Sequence, residues 1–426
     1  MLEPHPRAPA VDETDASPAA DARLRPRGSN QGGMRQFNER VVLQAIRLHG
    51  PLAKAEIARL THLTAQTVQL IIARLEADEL VTKLARVRGK VGQPSVPMAL
   101  NPDGAFSIGL AIGRRRLDML LVDFTGAVRE RLSLDYRFPD PATLFDAIDE
   151  RLRALRKRLK PALRARLQGL GVAAPLAIGG WQRLLDIAPD VAERWQATDL
   201  RVRLAALGER HGLAVSFVKD TAAACVAELV AGRGHSMRSF LYVFVDTFVG
   251  GGLVLDSHLA LGRQGNAGAV GSLPLAVAGS SEAPPPQLLS VASLWALERL
   301  YAEGGLTADA WRDERALRAP WRDATLAWLE PAAAALALAA TDAACLLDID
   351  RVVVDGSFGR GLLDALLSQT EAALARYRWE GATPPRVVGG TVGPDARALG
   401  GALLPLHANF APDRDLFLKA SAETRA

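Results

Sequence analysis

The sequence predicts an α/β protein in which a winged helix-turn-helix precedes two related α/β lobes. Three observations predict it. Val68, Ile71, Ile72 and Leu75 recur at helical spacing after two shorter helical patterns. Two short apolar runs then flank a basic loop that contains glycine. Further on, two three-strand meanders are each followed by alternating helices and strands.

The first helix is marked by Val41, Val42, Ala45 and Ile46 and is ended by Gly50-Pro51. A second spans about 54–60, with Ile57 and Leu60 inward. The turn Thr61-His62-Leu63 leads to Thr64, an N-cap for a helix starting at Ala65. Position 62 favours glycine if the turn requires positive φ, so His62 is an uncommon occupant. With the apolar stripe of the third helix buried, Gln66, Thr67, Gln69 and Arg74 remain on its other face and, with Thr64 at its start, are the expected DNA-contacting residues of the helix. Amides, hydroxyls and guanidinium groups there can reach base edges and phosphates in a major groove.

The runs at 80–84 and 96–100 read as two strands joined by a loop carrying Arg86, Arg88, Lys90 and Gln93. Such a hairpin is either a solvated tip or a wing that touches the DNA backbone or minor groove. Three cations in five residues favour the wing. Charge agrees with that placement. Residues 1–22 carry −4, residues 23–100 carry 13 Lys and Arg against 5 Asp and Glu (+8), and residues 101–426 are neutral. The positive excess therefore lies where phosphate contacts need it.

In the remainder, strands are expected at 106–113, 116–123, 128–136, 169–174 and 214–218, then again at 240–245, 252–255, 258–261, 351–355 and 386–388. Helices fill about 141–160, 199–210, 288–303, 322–347, 360–377 and 395–407. A cleft between such lobes is where a small ligand binds.

Length and composition set limits. A chain of 426 residues needs two or three cores. Cys225 and Cys345 sit in Ala/Leu-rich helical text and read as small buried hydrophobes in a reducing cytoplasm. The scattered cysteines and seven histidines show no metal-ligand spacing. The acidic, Pro/Ala-rich start is unlike a signal peptide, and the apolar run near 332–347 is interrupted by Thr341 and Asp342, so no membrane span is expected. The expected domains are a disordered tail (1–30), the winged helix-turn-helix (31–102), the two-lobed region (103–415) and a C-terminal tail (416–426). Lobe I comprises about 103–219 plus the C-terminal helix, and lobe II about 220–395.

Five stretches of the two-lobed region carry a family resemblance: Ile108 to Gly113, Gly171 to Pro175, Lys219 to Glu228, Asp246 to Gly252, and Gly265 to Ser272. In order and spacing they resemble the ROK family of sugar kinases and sugar-responsive transcriptional regulators, over roughly residues 35–412. The resemblance implies an actin-like (ribonuclease-H-like) ATPase fold for the two lobes. The stretches resemble, in turn, the first phosphate loop, the strand and turn beside the sugar, the Asn-Asp motif with its helix, the second phosphate loop, and the Gly-x-Ala-Gly-Glu-x-Gly-His signature.

Departures from the family pattern bear on the chemistry. Ala111 stands where the kinases place an Asp, and Arg114-Arg115 where they place Gly-Thr. Asp246-Thr247-Phe248 replaces Gly-Thr-Gly, so a carboxylate and a ring stand where glycines let backbone approach an anion. Asp246 is expected to repel that anion. Asp220 aligns with the kinases' general base, yet a base without a phosphoryl donor site transfers nothing. Ala269 and Ser272 replace the signature's Glu and His, and no cysteine loop for zinc follows. Lys219 replaces Asn beside Asp220, either as a pair closing an emptied site or as part of a cleft retuned for another ligand, one with negative charge. Carried over, the family geometry gives Trp181, Lys219, Asp220, Asn266 and Gly268 as the candidate ligand set, although Trp181 serves equally as a packing residue.

The resulting expectation is a non-enzymatic DNA-binding regulator, a repressor by family habit, without cofactor or metal. Its expected partners are an operator in double-stranded DNA, a sugar or sugar-phosphate effector, and further copies of itself in a homodimer or higher oligomer. The alternatives are a sugar kinase with an appended DNA-binding domain and a ligand-independent DNA-binding dimer.

Overall fold

The computed structural model describes residues 31–86, 96–176, 178, 187–277 and 284–412. It begins with three helices, α1 (Gln31–His49), α2 (Lys54–Thr61) and α3 (Ala65–Ala77). They are closed by β1 (Val81–Lys83) and β2 (Met98–Leu100), antiparallel with Val81 opposite Leu100. Leu52 adds a bridge to Met98, tying the α1–α2 link to this pair. The core of the unit joins Val42 and Ile46 of α1, Ile57 of α2, the four apolar residues of α3, and Met98.

Lobe I contains β3 (Phe106–Ile112), β4 (Arg116–Asp123), β5 (Val128–Asp135), α4 (Pro141–Arg158), α5 (Pro161–Arg164), β6 (Leu167–Ala174), α6 (Pro189–Gln196), α7 (Leu200–Arg210) and β7 (Val215–Lys219). Next come α8 (Asp220–Ala231), β8 (Phe240–Val245), β9 (Val249–Leu255), β10 (His258–Ala260), α9 (Leu288–Ala292), α10 (Leu294–Glu303), α11 (Arg322–Leu347), β11 (Arg351–Gly356), α12 (Arg360–Leu374), β12 (Arg386–Gly389) and α13 (Ala396–Phe410).

Two five-stranded sheets share one topology. Their orders are β5-β4-β3-β6-β7 and β10-β9-β8-β11-β12. Each is an antiparallel meander extended by two parallel strands. The duplication expected from the sequence is therefore present in the strand order. Helix α4 is started by Asp140, whose side chain accepts from the Ala142 amide, with Pro141 at the first helical position.

A third cluster lies between the cores of the two lobes. It joins Ala111 and Ala173 of the first sheet, Phe240 and Tyr242 of the second, Ala223 and Ala224 of α8, and Ala398 and Ala402 of α13. Small residues set the spacing. A Cβ on Gly109 would lie 1.9 Å from the Ala398 carbonyl oxygen, and one on Gly400 1.7 Å from that of Ala223. The C-terminal helix thus lies against backbone on both sides, and substitution at either glycine forces the layers apart.

The expected helix over 288–303 breaks at Ser293, whose hydroxyl accepts from the Ala296 amide and starts α10 afresh. Cys345 is exposed near the end of α11, contrary to its expected burial, whereas Cys225 is buried on α8. Helix α11 is long and apolar enough to cross a membrane by composition, but over half of its apolar window is buried inside the fold. The tails at 1–30 and 416–426 lie outside the described residues.

Candidate functional site

The first candidate surface is α3. Val68, Ile71, Ile72 and Leu75 are buried, while Gln66, Gln69 and Arg74 are exposed and Thr67 is half-buried. Thr64 caps the helix: its hydroxyl accepts from the Thr67 amide at 3.1 Å and lies 2.8 Å from the Thr67 hydroxyl. The Thr67 hydroxyl is thus committed to the cap, which leaves the two glutamines as the free amides of this face. Arg74 lies 3.5 Å from Glu39 of α1, a pair that any DNA contact by Arg74 must loosen. His62 adopts φ 55°, ψ 25°, the left-handed turn that the sequence reading flagged. Arg86 is exposed beside the β1–β2 pair. Arg88, Lys90 and Gln93 lie outside the described residues.

This unit is fastened to lobe I and to the C-terminal helix. Phe124, in the β4–β5 turn, and Leu406 of α13 belong to the same buried cluster as the helices of the head. The Phe124 and Phe410 rings meet edge to face at 4.7 Å. Arg47 of α1 stacks 5.0 Å over Phe124 and donates to its carbonyl at 2.9 Å. Burial pulls the Arg47 guanidinium down to about 10, against the attraction of Asp123. Arg166 pairs with Glu79 and donates to the Asp103 carbonyl, while Asn101 donates to that of Glu79 at 2.7 Å. This joint is not legible in the sequence, because Phe124 and Phe410 lie far apart in the chain and no local pattern marks them as partners.

The second candidate is the cleft. A cavity of about 220 Å³ is lined by Lys219, Asp220 and Asn266, three of the five expected residues, together with Arg114, Phe248 and Ser272. Gly268 is not part of its lining. At φ 73° its position would bring a Cβ within 2.8 Å of the Gly252 backbone, so it serves the packing of the loop on β9. Trp181 lies outside the described residues. Of the two alternatives for Lys219, the closing ion pair with Asp220 is not formed among the described residues; the Asp220 carboxylate accepts from the Thr221 amide at 2.9 Å instead. Burial pulls Lys219 below its usual range, with Asp220 opposing from a distance.

A larger cavity of about 370 Å³ lies beside it, lined by Arg115, Asp246, Glu298, Asp309, Ser357 and Arg397 among others. Here the residues that depart from the phosphate-loop pattern are tied to one another. Arg397 of α13 holds Asp246 at 2.7 Å, so the expected repulsion from Asp246 is offset by a buried guanidinium. Arg115 pairs with Glu298 on the opposite lobe, and Glu298 also accepts from the Trp311 indole at 3.1 Å. Burial raises the Glu298 carboxyl, with Arg115 and Trp311 opposing. Arg131 pairs with Asp395. Phe248 is buried against Trp295 at 6.4 Å, with Arg114 stacked 4.7 Å over its ring. Gly250 and Gly252 face Thr221 and Cys225 of α8 within 2.6 Å of a would-be Cβ. These glycines serve strand–helix packing. The part played by Arg397 escaped the sequence reading, since nothing in its neighbours marks an Arg at the start of an Ala/Gly-rich helix as a cleft residue. Among the described residues no cluster of His, Cys, Asp and Glu could hold a metal ion.

Duplicated sheets of this order, flanking a central pair of helices and a cleft, define a two-lobed α/β protein similar in structure to actin-like sugar kinases. Residues 107–407 match the model of the ROK family, and the chain belongs to that family. The xylose repressor of Bacillus subtilis (strain 168) is 21% identical over 245 residues, which cover 58% of this chain and 62% of that repressor. The chain therefore matches less than two thirds of that relative's length. Among solved structures, a ROK family transcriptional regulator, a homologue of the E. coli MLC protein, superposes with a TM-score of 0.63 at 20% identity, covering 89% of this chain and 97% of that one. A ROK family glucokinase from Streptomyces griseus, in complex with glucose and AMPPNP, superposes with a TM-score of 0.56 at 20% identity, covering 70% and 99%.

Proposed function

We propose that the protein is a DNA-binding transcriptional regulator, acting as a repressor in the cytoplasm, whose ROK region performs no phosphoryl transfer. In this reading α1–α3 with β1 and β2 form a winged helix-turn-helix. The observation that carries it is α3: its apolar face is buried, and Gln66 and Gln69 are left exposed on a segment of charge +8. Gln66, Thr67 and Gln69 enter the major groove with Arg74, while Arg86, Arg88, Lys90 and Gln93 serve the wing. The relatives named as a repressor and a transcriptional regulator support this reading.

The reading against kinase activity rests on the phosphate-loop positions. The Arg115–Glu298 and Arg397–Asp246 ion pairs line the larger cavity from positions where the family pattern has residues that let backbone approach a phosphate, which supports this reading. The ligand cleft is assigned to a sugar or sugar derivative, and Lys219, Asp220 and Asn266 form its wall. Two protomers set two recognition helices on an inverted repeat, and a change in lobe angle on ligand binding alters their spacing. That coupling is a free energy of about 1–3 kcal/mol between two sites.

The test uses fluorescence anisotropy with fragments of the DNA upstream of the protein's own gene. The expected outcome is saturable binding to one fragment. Gln66→Ala and Gln69→Ala should each cost about 1–3 kcal/mol of specific affinity. Arg86→Ala should weaken binding to every sequence and flatten its salt dependence. Unchanged sequence preference in both glutamine variants would overturn the placement of α3. ATP-dependent phosphorylation of a hexose, abolished by Asp220→Asn, would replace the whole reading with that of a kinase.

A further inference from the structure

Residues 101–426 are neutral in sum, but their charge is unevenly placed. Between Arg151 and Arg166 stand eight Lys and Arg and no Asp or Glu. They occupy the last two turns of α4 and the whole of α5, up to the start of β6. Helix α4 buries Ile148, Leu152 and Leu155, which turns Arg153, Lys157 and Arg158 outward. Lys160 and Arg164 are exposed as well. Arg153 pairs with Asp149, and Arg164 closes the end of α4 by donating to the carbonyls of Arg156 at 3.1 Å and Leu159 at 3.2 Å. Lys157, Arg158 and Lys160 have no carboxylate within ion-pair distance among the described residues.

This patch adjoins the candidate DNA-binding unit. Arg166 pairs with Glu79, two residues past the end of α3, and donates to the Asp103 carbonyl at 3.0 Å. Lys160 is six residues from Arg166, so the chain holds it within about 20 Å at ~3.3–3.6 Å per residue. One turn of duplex is about 34–36 Å long, so DNA held by α3 extends past that distance.

The dipole of α4 favours cations in its last turn but does not account for Lys160 beyond it. Like charges held together repel one another, and exposed cations without partners on a rigid wall are complementary to a polyanion. A duplex offers one phosphate per ~3.4 Å on each strand. The exposed residues among these cations are Pro161, Ala162 and Ala165, with no exposed large apolar side chain of the kind that an interfacial membrane helix inserts.

We propose that Lys157, Arg158 and Lys160 form a second DNA contact, on the sugar–phosphate backbone beside the bases that α3 reads, so that lobe I takes part in holding the operator. The inference rests on the reading of the protein as a DNA-binding regulator and extends its interface beyond the head. Contacts to phosphate carry no base preference, so this surface adds affinity and salt dependence and leaves sequence choice to α3.

Fluorescence anisotropy of the full chain tests this on the bound upstream fragment and on a scrambled duplex of the same length, over a series of salt concentrations. The triple variant Lys157→Gln/Arg158→Gln/Lys160→Gln is expected to bind both duplexes about tenfold or more weakly at low salt. Its slope of log affinity against log salt should be shallower by about two to three. The charge-retaining Lys157→Arg/Lys160→Arg protein should bind as the wild type does. A control, Arg322→Gln/Arg376→Gln/Arg378→Gln, removes three exposed cations from lobe II and should leave affinity and slope nearly unchanged. Melting temperatures of the variants check that they fold. The inference is overturned if the folded triple variant keeps wild-type affinity and slope, if the control loses as much, or if the loss falls on the upstream fragment alone. Vesicles of phosphatidylcholine and phosphatidylserine supply a further arm. A triple variant that keeps its DNA affinity but no longer binds such vesicles assigns the patch to a membrane and overturns the inference too. A wild-type protein that binds neither duplex overturns the regulator reading together with this one, whereas wild-type DNA binding with an unaltered triple variant overturns this inference alone.

Discussion

At the scale of single residues, the turn of the head shows how a local cost persists in a functional unit. His62 occupies a left-handed conformation, at φ 55°, that places its Cβ close to backbone. The turn is held because α2 and α3 must cross with Ile57 and Val68 both buried. His62→Gly should remove the strain and stabilise the head by about 1 kcal/mol. A rise in the urea midpoint of the isolated transition, or in the melting temperature, checks it. An unchanged midpoint would mean that the imidazole makes a compensating contact. Thr64 and His62 were both legible in the sequence, because caps and left-handed turns depend on a few neighbouring residues.

At the scale of elements, α13 links the parts. It packs against β3, β6 and α8 along its length, and its last turn enters the core of the head through Leu406 and Phe410. Arg397, at its other end, holds Asp246 of lobe II. One helix therefore touches both lobes and the candidate DNA-binding unit, a physical route by which a change in the cleft can reach α1. Leu406 is buried, so Leu406→Ala should cost about 2–5 kcal/mol through the cavity it leaves. Calorimetry of the full chain reads that loss. If α13 carries coupling, the same variant also reduces the effect of a bound ligand on operator affinity. A variant that melts earlier with coupling intact would limit α13 to a structural role. The sequence places this helix at 395–407 without marking its neighbours, since β3, β6 and α8 are all distant along the chain.

At the scale of the whole molecule, ion pairs across the cleft hold the lobes in one arrangement. Arg397 and Asp246 are the more buried pair, and removal of one partner strands the other charge. Asp246→Asn should therefore destabilise the fold by about 3–5 kcal/mol. The measurement is a calorimetric scan, in which the expected result is a lower melting temperature with the secondary structure retained. A neutral outcome would show that solvent reaches Arg397 and that the lobes part readily. In the sequence Asp246 reads as a source of repulsion, because nothing local marks Arg397, 151 positions later in the chain, as facing it.

By itself the sequence determined most of the elements, the duplicated strand pattern and the polar face of α3. Helical spacing, capping residues and strand alternation are set by near neighbours, so they can be read without the fold. The break at Ser293 and the helix at 189–196 escaped it, the latter although Pro189 and Asp190 mark a helix start. Tertiary structure alone decided which charges are paired. It joined Arg115 to Glu298 and Arg397 to Asp246, kept Lys219 apart from Asp220, and left Arg114 on a ring rather than a carboxylate. The pairs that form join residues more than 150 positions apart, and packing of the two sheets on α8 and α13 sets the distances between them.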